Sequence, residues 1–281
     1  MISLQTNVDS LNAQTNMNIN QAAQSKTIQQ LTSGYRINSS ADDAAGLAIA
    51  NGYRDEVAQL NQGVRNANDG ISQMQIVDGG LSNISNILDR MQTLATQSSS
   101  DTFSGNRTTL DNEFQGLLSE IDRQAGNIGL SAATGATASQ KAFNANLSIY
   151  VGGGTGSTVS VDLSGSSNAV DSSSLGFTSG TYSLTSTANA KSAITAITTA
   201  IQNLGNVQGV VGAGENKLNY AVGLAQSQIA NVSAAESQIR DADVAADAAN
   251  LSKGQVLMQT SVAAMAQANQ ESQSVLKLLQ G

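Results

Sequence analysis

Residues 31–56 read LTSGYRINSSADDAAGLAIANGYRDE, and the fold turns on how this stretch is read. It gathers adjacent carboxylates (Asp42, Asp43), two arginines (Arg36, Arg54), two tyrosines (Tyr35, Tyr53) and three glycines (Gly34, Gly46, Gly52). Either these side chains converge as a chemical site, or the stretch is a joint between helices. Ser40-x-x-Asp43 fits a capping box, with Ser39-x-x-Asp42 one residue earlier as the alternative. Both place the two aspartates in a first helical turn, where the helix dipole favours negative charge. Adjacent residues on a helix do not face each other, so the pair is not arranged to share a proton. Ala44, Ala48, Asn51 and Asp55 then predict a narrow small-residue stripe that lets another helix come close. Glycine inside a helix is worse than alanine by about 1 kcal/mol. Its clustering here points to a break near Gly34, which ends one helix before the next begins.

Outward from this joint, three segments carry long heptad-type periodicity. One runs Val57, Leu60, Val64, Ala67, Ile71, Met74, Leu81, Leu88 and Ala95, widened by Val77, Ile84 and Met91. Another runs from Ile194 through Ile197, Ile201, Leu204, Val211, Leu218, Val222, Ala225, Ile229 and Val232 to Ile239. The last runs Val244, Ala248, Leu251, Met258, Val262, Met265, Leu276 and Leu279. No proline interrupts them, so they predict long helices with coiled-coil-like seams, elongated rather than globular. A shorter helix is expected over 107–125, with Leu110, Phe114, Leu117, Leu118 and Ile121 as its stripe. Before the joint the signal is weaker. Leu4, Val8 and Leu11 start a seam that fades into Thr15 and Asn18 and resumes at Ile28, Leu31 and Tyr35, a helix marginal by itself.

The middle differs. From 142 to 190 the only charges are Asp162 and Asp171. LSIYVG, STVSVDLSG and GTYSLTST alternate β-branched or aromatic with polar residues between glycines, which suits short strands and hairpins; a disordered linker is the compositional alternative. VGGGTGS at 151–157 lacks the spacing of a phosphate-binding loop and has no following helix, so a turn is expected there.

Composition excludes most chemistry. The chain has no His, Cys, Trp or Pro and only 3% aromatic residues. Imidazole or thiolate catalysis, His-based metal sites, zinc ribbons and disulfides are therefore ruled out. No catalytic, metal-binding or cofactor-binding residue is assigned. A formal charge of −8, with the basic residues scattered singly, argues against nucleic acid as a partner. No apolar run is long enough for a membrane span. The first residues lack the basic and apolar regions of a Sec-type signal peptide, so any export is expected to use another route. Between Asp247 and Gly281 the only charges are Lys253, Glu271 and Lys277. An amphipathic helix so lightly charged on its outer face is expected to be covered by other chains; a simple helical hairpin or coiled-coil dimer is the alternative.

At this point the chain resembles the bacterial flagellins. LTSGYRINSSADDAAGLAIAN (31–51), RNANDGIS (65–72), LDRMQTLATQ (88–97) and EIDRQAGN (120–127) resemble the family's N-terminal half. ESQIRDADVAADAANLSKGQVLMQTSVAAMAQANQESQSVLKLLQG (236–281) resembles its C-terminal end. The resemblance implies a mainly α fold: an antiparallel helical rod with paired N- and C-terminal coiled-coil helices and a small β-hairpin element. Residues 1–40 and 240–281 would be the inner core, 41–141 and 190–239 an outer helical layer, and 142–189 the β element. The implied function is self-assembly into the flagellar filament, an extracellular tube with a central channel used in swimming. A hook–filament junction protein or another secretion-system filament component is the alternative. Implied partners are many copies of the chain, the type III export apparatus, a chaperone on the C-terminal helix, the filament cap and hook-associated proteins. The residues assigned to polymerisation and packing are Leu4, Val8, Leu11, Gly34, Tyr35, Arg36, Ser40, Asp42, Asp43, Ala44, Ala48, Arg54, Val262, Met265, Leu276 and Leu279. Arg90, Leu94 and Glu113 match positions contacted by a flagellin-sensing Toll-like receptor, with lateral packing between subunits as the first-ranked reading of the same residues.

Overall fold

A computed structural model describes residues 7–132, 146–154, 156–164, 168–177 and 181–280, with the side chains of 272, 273 and 275–280 excepted. Among these residues it has five helices and one two-stranded antiparallel sheet: α1 Val8–Ser33, α2 Ala44–Ser99, α3 Arg107–Asn127, β1 Asn146–Tyr150, β2 Thr158–Asp162, α4 Thr187–Arg240 and α5 Val244–Gln280. The expected mainly α class with a small hairpin is what forms. Leu4 lies outside the described residues. Leu276 and Leu279 lie in α5, but their side chains are outside the description.

The chain divides into two compact units: Met1–Asp55 with Asn231–Gly281, and Glu56–Ala230. In the second unit the heptad pattern becomes a core. Leu60, Ala67, Met74, Val77, Leu81, Ile84, Leu88, Met91 and Ala95 of α2 are buried, as are Ile197, Leu204, Val211 and Leu218 of α4. The seam of α4 departs from expectation at Ile201, which is 36% exposed, while Ala193, Ala200 and Val207 are fully buried. The inward positions follow the row that closes the helix pair; aliphatic bulk alone does not set them. The helix α3 starts at Asn106, whose side-chain oxygen accepts from the Thr108 amide at 2.9 Å, and buries Phe114 and Ile121.

The strands pair from Asn146↔Asp162 to Tyr150↔Thr158, burying Ile149 and Val161. This small sheet closes on the helices because three helical positions have no side chain. An added methyl at Gly63 would overlap the Val151 carbonyl, one at Gly70 would overlap the Ile149 side chain, and one at Gly214 would lie 2.7 Å from a Val161 methyl. GTYSLTST, expected as a strand, forms none in its described residues. Its backbone groups are taken by side chains of the helices: Asp111 accepts from the Leu184 amide at 2.7 Å, Gln115 donates to the Tyr182 carbonyl, and buried Ser98 donates to the Leu184 carbonyl. Phe177 sits edge-on between Phe114 and Tyr182, with centroids 6.5 and 5.9 Å away.

Gly63→Ala should therefore destabilise the chain by about 1–3 kcal/mol, because the obstacle is backbone that cannot repack. Gly79 of the same helix has open space around it, so Gly79→Ala should stabilise by about 1 kcal/mol. Urea unfolding of the two variants beside the parent checks both signs.

Candidate functional site

The terminal helices of the first unit form the most unusual surface of the molecule. Asn7 caps α1, its side-chain oxygen accepting from the Ser10 amide at 3.1 Å, while its amide group donates to the Ala268 carbonyl at 3.0 Å. Asn20 donates to Ser261 Oγ at 3.2 Å, and Gly254 lies beside the Gln24 side chain. These contacts set α1 antiparallel to α5. The positions partly covered by this pairing are for the most part small or polar, Ser10, Ala13, Asn20, Gln24, Thr27 and Gln30 on α1 and Asp247, Gly254, Ser261 and Ala268 on α5, with Met17, Leu31, Leu251, Met258 and Met265 among them. No residue of α1 is buried. Val8 (54% exposed), Leu11, Ile19 and Ile28 instead face outward, as do Val256, Leu257 and Val262 (51%) of α5. Val262 was assigned to packing and lies outside the seam within the chain, whereas Met265 is on it.

The stretch at 34–43 is a joint, built with a second break in the chain. Gly34 ends α1 in the left-handed conformation at φ 75°. This lets its carbonyl accept from the Ala242 amide while the Arg36 amide donates to the Arg240 carbonyl at 2.6 Å. Tyr35 and Asp241 thus form an isolated antiparallel bridge, and the Arg240 guanidinium lies 4.1 Å above the Tyr35 ring. Arg36, expected to reach neighbouring subunits, spends a guanidinium nitrogen on the Ile239 carbonyl at 2.7 Å. Arg54 is held by Asn51 of its own helix.

The aspartates take different roles from those expected. The helix α2 starts at Ala44, so neither aspartate is inside its first turn. Asp43 caps it, accepting from the Gly46 amide at 2.8 Å. Asp42 belongs to the preceding turn, where it accepts from the Asn38 and Ser39 amides and pairs with Lys26 at 2.8 Å. The hydrogen bond from Lys26, then those from the two amides, hold its carboxyl down at about 2. Ser40, proposed as the cap, is exposed: the turn closed by Asp42 delays the helix by three residues, which hands the cap to Asp43. The stripe of Ala44 and Ala48 also faces outward, while Gly46 and Ala50 point in, with buried Ile37 packed over Gly46.

Sequence reasoning missed Lys26, Ile37, Arg240 and Asp241. Asp243 was a legible signal, since it precedes a helical run and accepts from the Ala245 and Ala246 amides. In the second unit Arg90 and Glu113 form a two-pronged exposed pair at 2.7 and 2.9 Å. Leu94, grouped with them as a receptor contact, is only 1% exposed and belongs to the core, because it continues the inward row of α2. Among the described residues no cluster of carboxylates could hold a metal ion, and no helix is long and apolar enough to cross a membrane.

An outward apolar helix pair, a two-strand joint and a separately packed helical unit can now be set beside known proteins. A family model described as the bacterial flagellin N-terminal helical region matches residues 4–129. The model of the bacterial flagellin C-terminal helical region matches 194–279. The flagellin of Halalkalibacterium halodurans is 35% identical over 277 residues, covering 97% of this chain and 98% of the relative. The flagellin of Listeria monocytogenes is 35% identical over 288 residues, with 98% of each chain covered. Flagellin FlaB2 of Treponema pallidum is 32% identical, with 90% and 91% covered. A crystal structure of Bacillus cereus flagellin is 32% identical and covers 61% of this chain and 94% of its own, at a TM-score of 0.47. The chain belongs to the flagellin family, the structural subunits of the bacterial flagellar filament.

Proposed function

We propose that copies of this chain build the filament by burying the outward-facing apolar residues of the α1–α5 pair against one another, with the two terminal helices lining a central channel. One observation carries the reading. The pair covers mainly small and polar residues, with three methionines and two leucines, and leaves Val8, Leu11, Ile19, Val256 and Val262 uncovered. Burying a valine, leucine or isoleucine fully is worth about 1.5–3 kcal/mol, so several per copy supply a strong drive to associate. A contact between different patches of identical subunits generates an open helix where its rotation does not close into a ring.

In this reading residues 1–40 and 240–281 form the inner layer. Residues 41–141 and 190–239 form the outer helical layer, and 142–189 a small surface element. The exposed Ala44 and Ala48 offer a shallow surface on which a neighbouring subunit can shift slightly, and Gly34, Tyr35, Arg36, Asp42 and Asp43 hold the joint rather than the neighbour. The family membership supports delivery through the flagellar type III export apparatus, a flagellin chaperone on the C-terminal helix, and placement beyond the hook-associated proteins under the filament cap. The protein is then secreted and works outside the cell. A Toll-like receptor would meet Arg90 and Glu113 as a mutually paired surface, without Leu94.

Val262→Asp should leave the stability of the single chain within about 0.5 kcal/mol, since the side chain is already half in solvent, yet abolish growth of filaments from seeds. Electron microscopy of seeded reactions checks this, and normal filaments from the variant would refute it. Deleting 275–281 should also stop polymerisation while leaving the helical unit Glu56–Ala230 folded by circular dichroism. The joint should respond to acid. A carboxyl whose folded pKa is depressed contributes above its unfolded value near 4 and loses that contribution as pH falls toward about 2. NMR titration of the Asp42 carboxyl should therefore show a midpoint near 2, and Lys26→Met should move it upward.

A further inference from the structure

The five methionines beyond Met1 stand in two sharply different settings. Met74 and Met91 have no exposed surface in the core of the unit Glu56–Ala230. Met17, Met258 and Met265 are only partly covered, and all three lie on the α1–α5 seam. The contacts of Asn7 with Ala268 and of Asn20 with Ser261 fix the register. That register brings Met17 level with the stretch of α5 between Met258 and Met265, which share a face two turns apart. Apart from Leu31 and Leu251 the rest of the seam is small or polar, so these thioethers supply much of its apolar contact.

We propose that Met17, Met258 and Met265 form an oxidation site at which peroxide-class oxidants uncouple α1 from α5. A thioether sulfur attacks one peroxide oxygen with its lone pair. The S–O bond forms as the O–O bond breaks, and the departing hydroxide takes a proton and leaves as water. The sulfur gives up two electrons and the peroxide is reduced. The sulfoxide is polar and chiral where the thioether was soft and apolar. Its oxygen adds bulk and polarity where the thioethers make apolar contact across the seam, so closing the helices over it is unfavourable. Reduction of the sulfoxide by a methionine sulfoxide reductase reverses the change. The consequence for assembly rests on the filament reading above.

The test treats the full chain, as monomer, with dilute hydrogen peroxide, quenches it, maps sulfoxides by peptide mass, and then follows seeded filament growth. Met17, Met258 and Met265 should oxidise at least tenfold faster than Met74 and Met91, and growth should fall at least tenfold. Treatment with both methionine sulfoxide reductases should restore it. In the triple variant Met17→Leu, Met258→Leu, Met265→Leu, whose side chains are of similar volume but carry no oxidisable sulfur, the ratio of growth after peroxide to growth before it should be one, whatever its starting rate. Equal oxidation of all five methionines, or unchanged growth of protein oxidised at the three sites, would overturn the proposal. Failure of the untreated parent chain to grow from seeds would instead count against the filament reading, so the two failures are distinct.

Discussion

Everything distinctive in this molecule follows from how α1 and α5 pair. Two helices with enough aliphatic side chains to make an ordinary hydrophobic seam instead turn mainly asparagine, serine, glycine and glutamine toward each other, with a few methionines and leucines between. Cross-helix hydrogen bonds from Asn7 and Asn20 fix the register, as single polar residues do in coiled coils at some expense of stability. The aliphatic side chains that would have stabilised a self-contained hairpin are left on the outside. The pair is thus registered by its polar residues and leaves branched aliphatic side chains exposed.

The joint gives this pair a defined end. Gly34 allows the backbone to reverse, and the paired amides of Arg36 and Ala242 satisfy carbonyls that two helix breaks would otherwise leave open. Arg240 over Tyr35 adds a cation–π contact on the same side, a type of interaction worth about 0.5–2 kcal/mol. Lys26 and Asp42 tie α1 to the turn that leads into α2. Each of these is a small term, yet all act on the same few residues, so the two breaks behave as one structural element. The unit Glu56–Ala230 works by the opposite rule. Its aliphatic rows close on themselves, its hairpin is seated on glycines, and its irregular segment is held by carboxylates and an amide of α3 and a hydroxyl of α2.

Much of this was legible. Long helices follow from uninterrupted 3.6-residue periodicity, and α2 buries nearly the row its heptads predict. The break at Gly34 follows from the clustering of residues that helices disfavour. The capping of α2 was readable as to kind but not as to place, because Ser39, Ser40, Asp42 and Asp43 all carry acceptors that can close a turn. The choice among them depends on Lys26, which approaches from another helix. Leu94 shows the same limit from the other side: a resemblance to a surface motif could not reveal that the row of α2 turns this leucine inward.

The sequence by itself determined where helices run, where they stop, and that most of the chemistry of enzymes is missing, because these depend on local spacing and on which functional groups exist. Tertiary structure alone decided which face of each helix is covered. For α1 and α5 periodicity suggested an apolar seam, and the pairing keeps Leu31, Leu251, Met258 and Met265 of it but leaves Val8, Leu11, Ile28 and Val262 outside, since close approach and hydrogen-bond register favour small and polar residues between them. Only in three dimensions do Tyr35 and Arg240, some two hundred positions apart in the chain, become one contact. Only there do the glycines of α2 and α4 become the floor beneath a hairpin.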